Sequence, residues 1–102
     1  PICIFPRMDF MLLCMNQLVN HLDKLPLYGW KPKVIIRTRV GSREPLEAGP
    51  QHTQDHSSAF NKMLTSVELV KVGFSEDVLP AYKRALEAKH SVLVVEKPPR
   101  GY

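Results

Sequence analysis

The sequence predicts an α/β fold with three layers, in which a mostly parallel sheet lies between helices. Two observations predict it: four short apolar runs are typical of buried strands, and helical segments separate them along the chain. Strands that alternate with helices form parallel β-α-β units. The composition agrees, because 44% of the 102 residues are hydrophobic and 24% are charged, which is ordinary for one globular domain.

The predicted strands cover residues 2–5, 34–38, 67–72 and 91–95. Two of these segments are nearly continuous runs of Val, Ile and Leu. Runs of this kind are expected for strands that are covered on both faces. Four strands are few for a doubly wound sheet, so we expect the sheet to be incomplete.

Residues 11–24 predict the first helix, because their apolar side chains recur at helical spacing. Asp9 is the expected N-cap, and Pro26 is expected to end the helix. The apolar stripe comprises Met11, Met15, Leu18 and Leu22, flanked by Leu12 and Val19.

Two further helices are predicted. A short helix covers residues 58–64, with Phe60, Met63 and Leu64 facing inward. The last helix follows Ser75, a candidate cap, and the proline at position 80 fits only if the helix begins a residue or two later. Its predicted apolar face comprises Val78, Leu79, Tyr82, Ala85 and Leu86.

The polar stretch 41–58 has no periodicity and is rich in Gly, Pro, Gln and His. An irregular loop of this length inside a domain usually carries function. Ligands of parallel sheets bind beyond the carboxyl ends of the strands. The predicted functional edge therefore comprises residues 7–10, 39–57, 73–74 and 97–98.

The charge and the cysteines restrict the class of partner. The formal net charge is +4, but the basic residues are scattered, and no aromatic residue alternates with the small clusters at 31–33 and 37–39. We therefore expect no nucleic-acid partner. No apolar run is long enough to cross a bilayer, so no membrane partner is expected.

Cys3 and Cys14 are predicted to be buried free thiols in a reducing compartment, the cytoplasm or a mitochondrial matrix.

Four motifs in order resemble one enzyme family over essentially the whole chain. They are Met8-Asp9-Phe10, Asn16-Gln17-Leu18-Val19-Asn20, Val34-Ile35-Ile36-Arg37 and Gln51-His52-Thr53-Gln54, followed by the strand-like runs 69–72 and 92–96. Together they are similar to the pyrimidine-binding domain of thiamine-diphosphate-dependent enzymes. The resemblance is greatest to the beta subunit of the decarboxylase component of the pyruvate and branched-chain 2-oxoacid dehydrogenases, and weaker to transketolase.

The resemblance implies that residues 1–102 form the C-terminal part of a transketolase-like pyrimidine-binding domain. Such a domain covers the aminopyrimidine ring of thiamine diphosphate, while a partner subunit or domain holds the pyrophosphate and magnesium. The assembly is then a homodimer or a heterotetramer with oxidoreductase or transferase activity. The family's glutamate on the aminopyrimidine ring has no match in this segment, so the segment alone is not expected to be a complete catalyst.

The resemblance also assigns candidate site residues. Phe10 matches a cofactor-binding aromatic residue, although a core aromatic residue at a helix start is the alternative. His52 matches a catalytic histidine that handles protons, a task that suits imidazole; a loop histidine at a subunit surface is the alternative. Gln51 and Gln54 are expected to orient His52 by hydrogen bonding.

Arg37 and Arg39 end a predicted strand near the functional edge. They are expected to hold an anionic substrate carboxylate or a carboxylate of the partner. No metal site is expected within this chain, because His52 and His56, with Asp55 between them, lack a third ligand. The loop before Gln51 is longer and more charged than in the family, which leaves open the substrate and the use of a lipoyl carrier. A non-catalytic assembly domain of the same fold is the alternative function.

Overall fold

Four parallel strands form the sheet, as the sequence predicts. They are β1 (Ile2–Phe5), β2 (Ile35–Arg39), β3 (Glu68–Val72) and β4 (Val92–Glu96). The computed structural model describes residues 1–43 and 47–98; residues 44–46 of the predicted loop lie outside the described residues. The strand order is β1-β2-β4-β3, and all three pairings are parallel. The predicted α/β fold class is confirmed.

Helical segments fill the connections between the strands. Between β1 and β2 lie a 3-10 helix (Met8–Cys14), a π-helix (Asn16–Leu22) and a second 3-10 helix (Leu25–Tyr28). Helix α1 (Ser57–Met63) precedes β3. A 3-10 turn (Ser75–Asp77) leads into helix α2 (Val78–Glu87), which precedes β4.

The first helical connection differs from the single helix predicted over residues 11–24. It begins at Met8, and Arg7 rather than Asp9 holds the N-cap position. Side chains three residues apart share a face of a 3-10 helix, and Met8 and Met11 are both fully buried on that face. Burying this pair favours the tighter helix. Leu12, expected beside the stripe, is 50% exposed.

Two apolar cores lie on opposite faces of the sheet. On one face, Met8, Met11 and Phe60 pack against Leu93 and Val95. On the other face, the small side chains of α2 pack against alternate residues of the strands, namely Ala81 and Ala85 against Ile35, Val92 and Val94. The two cores confirm three layers.

The cover of the sheet is uneven. Residues 92–95 of β4 are completely buried, as predicted for a strand covered on both faces. Strand β1 lies at an edge, and Ile2 and Ile4 remain 65% and 58% exposed. Their face is the one on which α2 packs, but α2 covers only β2, β3 and β4.

Helix α2 begins at a position that accommodates Pro80. Because its first residue is Val78, Pro80 lies in the first turn, where a backbone N–H has no intrahelical partner. The predicted apolar face is only partly correct. Ala85 is buried, but Leu79 and Leu86 are 78% and 68% exposed. In α1, Phe60 is buried as predicted, whereas Met63 faces outward and is 43% exposed.

Asp23 joins the end of the π-helix to the segment that precedes β3. Its fully buried carboxylate accepts hydrogen bonds from the backbone N–H groups of Thr65, Ser66 and Val67, from the Thr65 hydroxyl and from Lys24 Nζ. Burial alone would raise the pKa of Asp23, but the hydrogen bonds from Lys24 and the backbone lower it well below its usual range.

A lysine holds the carboxyl end of α2. The Nζ of Lys33 donates hydrogen bonds to the carbonyl oxygens of Ala85, Ala88 and His90. Carbonyl groups of the last helical turn lack intrahelical donors, and a cation there is favoured by the helix dipole. Lys33 therefore attaches α2 to the segment that leads into β2.

Both cysteines are free thiols, but the prediction that they are buried is wrong. Cys3 is exposed on the edge strand, and Cys14 is partly exposed. Burial and the neighbouring Cys3 raise the pKa of Cys14. Across the two described ranges, no helix is long and apolar enough to cross a membrane.

Candidate functional site

The carboxyl ends of the strands meet at one edge of the sheet, as predicted. Segments 7–10, 40–43 and 73–74 follow β1, β2 and β3. The Val40 N–H donates to the Glu96 carbonyl oxygen at 2.8 Å, and the Lys97 N–H donates to that of Val72 at 2.7 Å. These bonds extend the strand pairing beyond the sheet and fix the bases of the loops at this edge.

Phe10 and His52, the two residues that the family resemblance assigns to cofactor binding and catalysis, lie together. Their ring centroids are 5.7 Å apart, and the rings are inclined by 70° in an edge-to-face contact. Phe10 is 42% exposed and His52 is half-buried. Residues 42 positions apart in the sequence thus form one aromatic surface at the carboxyl edge of the sheet.

The backbone of His52 is held from two sides. Arg7 Nη1 donates a 3.1 Å hydrogen bond to the His52 carbonyl oxygen. The His52 N–H donates to the Gly49 carbonyl oxygen at 3.1 Å, within a turn in which Gly49 has φ 96°. A residue without a side chain, Gly41, lies against this contact: a Cβ there would overlap the His52 carbonyl and come within 2.5 Å of Arg7 Nη1.

Asp9 holds the segment that follows His52. Its Oδ1 accepts hydrogen bonds from the backbone N–H of Gln54 at 3.3 Å and from Gln54 Nε2 at 3.0 Å. Gln54 therefore binds Asp9 and not the His52 ring, which corrects the expectation for this residue. Gln51 is exposed and makes no side-chain hydrogen bond to the described residues. Asp9 is 7% exposed, and its Oδ2 is buried without a hydrogen-bond partner among the described residues.

An ion pair closes the loop against β4. Lys97 Nζ lies 2.8 Å from Asp55 Oδ2, and Asp55 Oδ1 accepts a hydrogen bond from the Ser57 N–H at the start of α1. Burial alone would raise the pKa of Asp55, but these partners lower it to about 2. Asp55 is thus engaged as an anion that positions the loop.

His52, Asp55 and His56 do not converge on one point. The His56 ring stacks on Phe60 with centroids 5.9 Å apart, and its Nε2 is buried without a partner among the described residues. The described parts of the chain contain no group of three or more His, Cys, Asp or Glu side chains arranged to hold a metal ion.

Arg37 and Arg39 lie at the same edge, but on the α2 side of the sheet and apart from Phe10 and His52. Arg37 forms a two-pronged contact with Glu96, with N–O distances of 2.9 and 3.1 Å. The Tyr82 hydroxyl of α2 donates to the same carboxylate at 2.6 Å.

The contact of Glu96 with Arg37 and Tyr82 shifts the pKa values of Glu96 and Tyr82. The hydrogen bond from Arg37 lowers the pKa of Glu96, and burial and the bond to Glu96 raise that of Tyr82. The carboxylate that engages Arg37 thus belongs to the same chain. The Arg39 side chain makes no hydrogen bond or ion pair with the described residues. Arg37, Arg39 and Glu96 line a cleft of about 80 Å³ at the ends of β1 and β2.

Three residues of the site were not identified from the sequence. Arg7, Gly41 and Lys97 lie in segments that the fold prediction places at the functional edge, but their partners are 45, 11 and 42 positions away. Such contacts carry no local sequence pattern. Their position directly after strands is the only signal available.

Comparison of the chain with protein-family models and with curated proteins gives no match. The resemblance to thiamine-diphosphate-dependent enzymes therefore stays a prediction made from the motifs.

Proposed function

We propose that this chain is part of the pyrimidine-binding domain of a thiamine-diphosphate-dependent enzyme that acts on 2-oxo acids or ketoses. The observation that supports this most is the Phe10–His52 pair, with ring centroids 5.7 Å apart at the carboxyl edge of a parallel sheet. The residues fit the cofactor, because a partly exposed aromatic ring offers an apolar surface to a planar heterocycle. When bound, thiamine diphosphate supplies the chemistry that stabilises a carbanion next to a cleaved carbon–carbon bond.

In this proposal the chain's own residues bind and orient. The Phe10 ring covers one face of the aminopyrimidine and excludes water from it. His52, fixed through its backbone by Arg7, holds or moves a proton on the substrate or acyl acceptor. The buried Asp9 side chain keeps the loop after His52 in place through Gln54.

The proposed partner is a subunit or domain that holds the pyrophosphate and magnesium. Because this chain supplies only one wall of the site, binding requires the assembled protein, a homodimer or a heterotetramer. The cleft lined by Arg37 and Arg39 lies on the α2 side of the sheet, apart from Phe10. Arg39 is the better candidate for a carboxylate of the substrate or partner, since Arg37 is already paired with Glu96.

Calorimetry on the full-length protein with its partner tests this proposal, with thiamine diphosphate and magnesium as ligands. We expect saturable binding, weakened about five- to tenfold by Phe10→Ala, as the loss of one aromatic contact predicts. The control is Phe74→Ala, because Phe74 is exposed at the same edge but next to α2. His52→Gln is expected to retain binding and lose turnover.

Absence of binding by the assembled protein would overturn the proposal. Equal effects of the two phenylalanine variants would show that Phe10 does not cover the cofactor.

A non-catalytic assembly domain is the second candidate, and the exposed apolar residues favour it. Leu13 is 88% exposed and Leu12 is 50% exposed, on the same helix as Phe10. Large exposed apolar side chains that lie together are typical of protein interfaces. Assembly with the partner without any binding of thiamine diphosphate would favour this alternative.

A further inference from the structure

A pocket lies at the amino edge of the sheet, opposite the Phe10–His52 pair. Val67 and Ser91 stand directly before β3 and β4, and Pro32 stands in the segment that leads into β2. Trp30 lines the pocket from the connection between the π-helix and β2. This pocket shares no lining residue with the candidate site at the carboxyl edge.

The interior of the pocket is apolar and matches a small ring in size. Leu22, Pro26, Pro32 and Val67 supply apolar walls, and the volume is about 180 Å³. An apolar cavity of about 150 Å³ is known to accept benzene. The Trp30 side chain is 65% exposed at the rim, where its indole face is available for stacking against a ring.

The rim of the pocket is cationic. Lys31 and Lys89 both line it, and both are exposed with no hydrogen bond or ion pair to the described residues. No described Asp or Glu lines the pocket. Glu68, next to the lining His90, is engaged by Arg84 at 2.8 Å and by His90 at 2.7 Å. The lining therefore combines apolar walls with two lysines that have no hydrogen bond or ion pair to the described residues.

The walls of the pocket are held in place before any ligand arrives. Ser91 Oγ accepts a hydrogen bond from the Val34 N–H and donates one to the Pro32 carbonyl oxygen. The Asp23 carboxylate fixes the N–H groups of Ser66 and Val67 at 2.7 and 2.8 Å. A site that is already ordered loses little entropy on binding.

We propose that this pocket binds a small carboxylate with an apolar body of about the size of a phenyl ring. The ring occupies the apolar interior against Trp30, and the carboxylate lies between the ammonium groups of Lys31 and Lys89. Ring burial supplies affinity, and the two lysines select an anion over a neutral or cationic analogue. The site is independent of thiamine diphosphate binding at the opposite edge.

Trp30 provides the readout, because it is the only tryptophan in the chain. Its fluorescence is followed while the full chain is titrated with phenylacetate, with phenylacetamide as the neutral analogue and acetate as the analogue without a ring. We expect a saturable change with phenylacetate, and affinities at least about tenfold weaker for the other two compounds.

Variants separate charge recognition from nonspecific contact with the ring. Replacing both rim lysines, Lys31→Gln with Lys89→Gln, is expected to reduce phenylacetate binding to the level of phenylacetamide. The matched control replaces two exposed lysines on helices, Lys62→Gln with Lys83→Gln, and is expected to change nothing.

Three results would overturn the proposal. One is the absence of a saturable signal with phenylacetate, and another is equal affinity for phenylacetate and phenylacetamide. The third is protection of Trp30 fluorescence from a soluble quencher in the unliganded protein, if that protection is lost on dilution. Such a result would show that a second copy of the chain fills the pocket.

Discussion

The approach of Arg7 to the His52 carbonyl depends on the absence of a side chain at position 41. Gly41 is buried between these two groups, and its φ does not lie in the left-handed region. The glycine is therefore required by space and not by backbone conformation. A Cβ at Gly73, which follows β3 at the same edge, would have no atom of the described residues within 4 Å beyond its chain neighbours. Gly73 is therefore the control position for Gly41.

We expect Gly41→Ala to lower the free energy of unfolding by about 1–3 kcal/mol, as overpacking of a tight contact does. The His52 carbonyl must move away from Arg7, so the ring signals of Phe10 and His52 in NMR spectra should shift. Gly73→Ala should change stability by less than about 1 kcal/mol and leave those signals unchanged. Equal effects of the two substitutions in urea unfolding would contradict this account of Gly41.

At the level of elements, a buried carboxylate organises the connection between helix and sheet. Asp23 ends the π-helix and accepts the three successive N–H groups that lead into β3. These N–H groups have no strand partner at that point, so the carboxylate takes the place that a neighbouring strand would fill. These hydrogen bonds position β3 relative to the first helical connection. They also hold Ser66 and Val67, which line the pocket at the amino edge of the sheet.

We expect Asp23→Asn to lower the free energy of unfolding by about 2–3 kcal/mol near neutral pH, because hydrogen bonds to a buried charge are lost. The pKa of Asp23 is depressed in the folded protein. Its contribution is therefore fully present above the unfolded pKa of about 4 and declines progressively as the pH falls from there through the lower pKa of the folded state. Urea unfolding at about pH 7 and about pH 3 should thus show a smaller difference between wild type and variant in acid.

The control for this prediction is Asp77→Asn, because the Asp77 side chain is exposed and has no hydrogen-bond or ion-pair partner among the described residues. That substitution should change stability by at most about 0.5 kcal/mol at either pH. A difference for Asp23→Asn that grows in acid would contradict the assignment.

The elements also show which parts of the fold a sequence can predict. The strands were predicted to within a residue or two, because runs such as Val92–Val95 have one plausible environment, a buried strand. The prediction of the first helix is wrong in form, since the hydrogen bond of Asp9 to Gln54 depends on a loop 45 positions away. Leu79 and Leu86 were placed inward because periodicity identifies an apolar stripe, whereas α2 approaches the sheet on its alanines.

The same distinction applies to the candidate site. The motifs predict Phe10 and His52 only as two separate site residues, and the fold brings their rings together. The pairing of Arg37 with Glu96 was not anticipated, because it requires the register of β2 against β4. Local patterns therefore predict which residues reach the functional edge but not their contacts there.

At the scale of the whole molecule, the sheet is covered unevenly. Ile2 and Ile4 lie on an edge strand and on a face that α2 does not reach. An apolar edge strand with free backbone groups is a template for pairing with another chain. We therefore expect this edge to favour association of the molecule, independently of the proposed cofactor.

We expect the average mass measured by light scattering to rise with protein concentration, because β1 edges pair. Ile4→Lys should reduce this rise, since a charge on an edge strand opposes pairing. Leu86→Lys is the control, because Leu86 is similarly exposed but lies on α2. A constant monomer mass over the whole concentration range would contradict the prediction, as would equal effects of the two lysine substitutions.

The position of β4 has a consequence for synthesis on the ribosome. β4 follows the other three strands in the sequence, yet it lies between β2 and β3. Among the described strands, β3 pairs only with β4, so we expect it to stay unpaired until residues 92–96 have left the exit tunnel. The nascent chain can pair β1 with β2 early. Both cores contain residues of β4, so we expect them to form at the same late step. A chain that stalls before residue 92 would leave both cores accessible to chaperones.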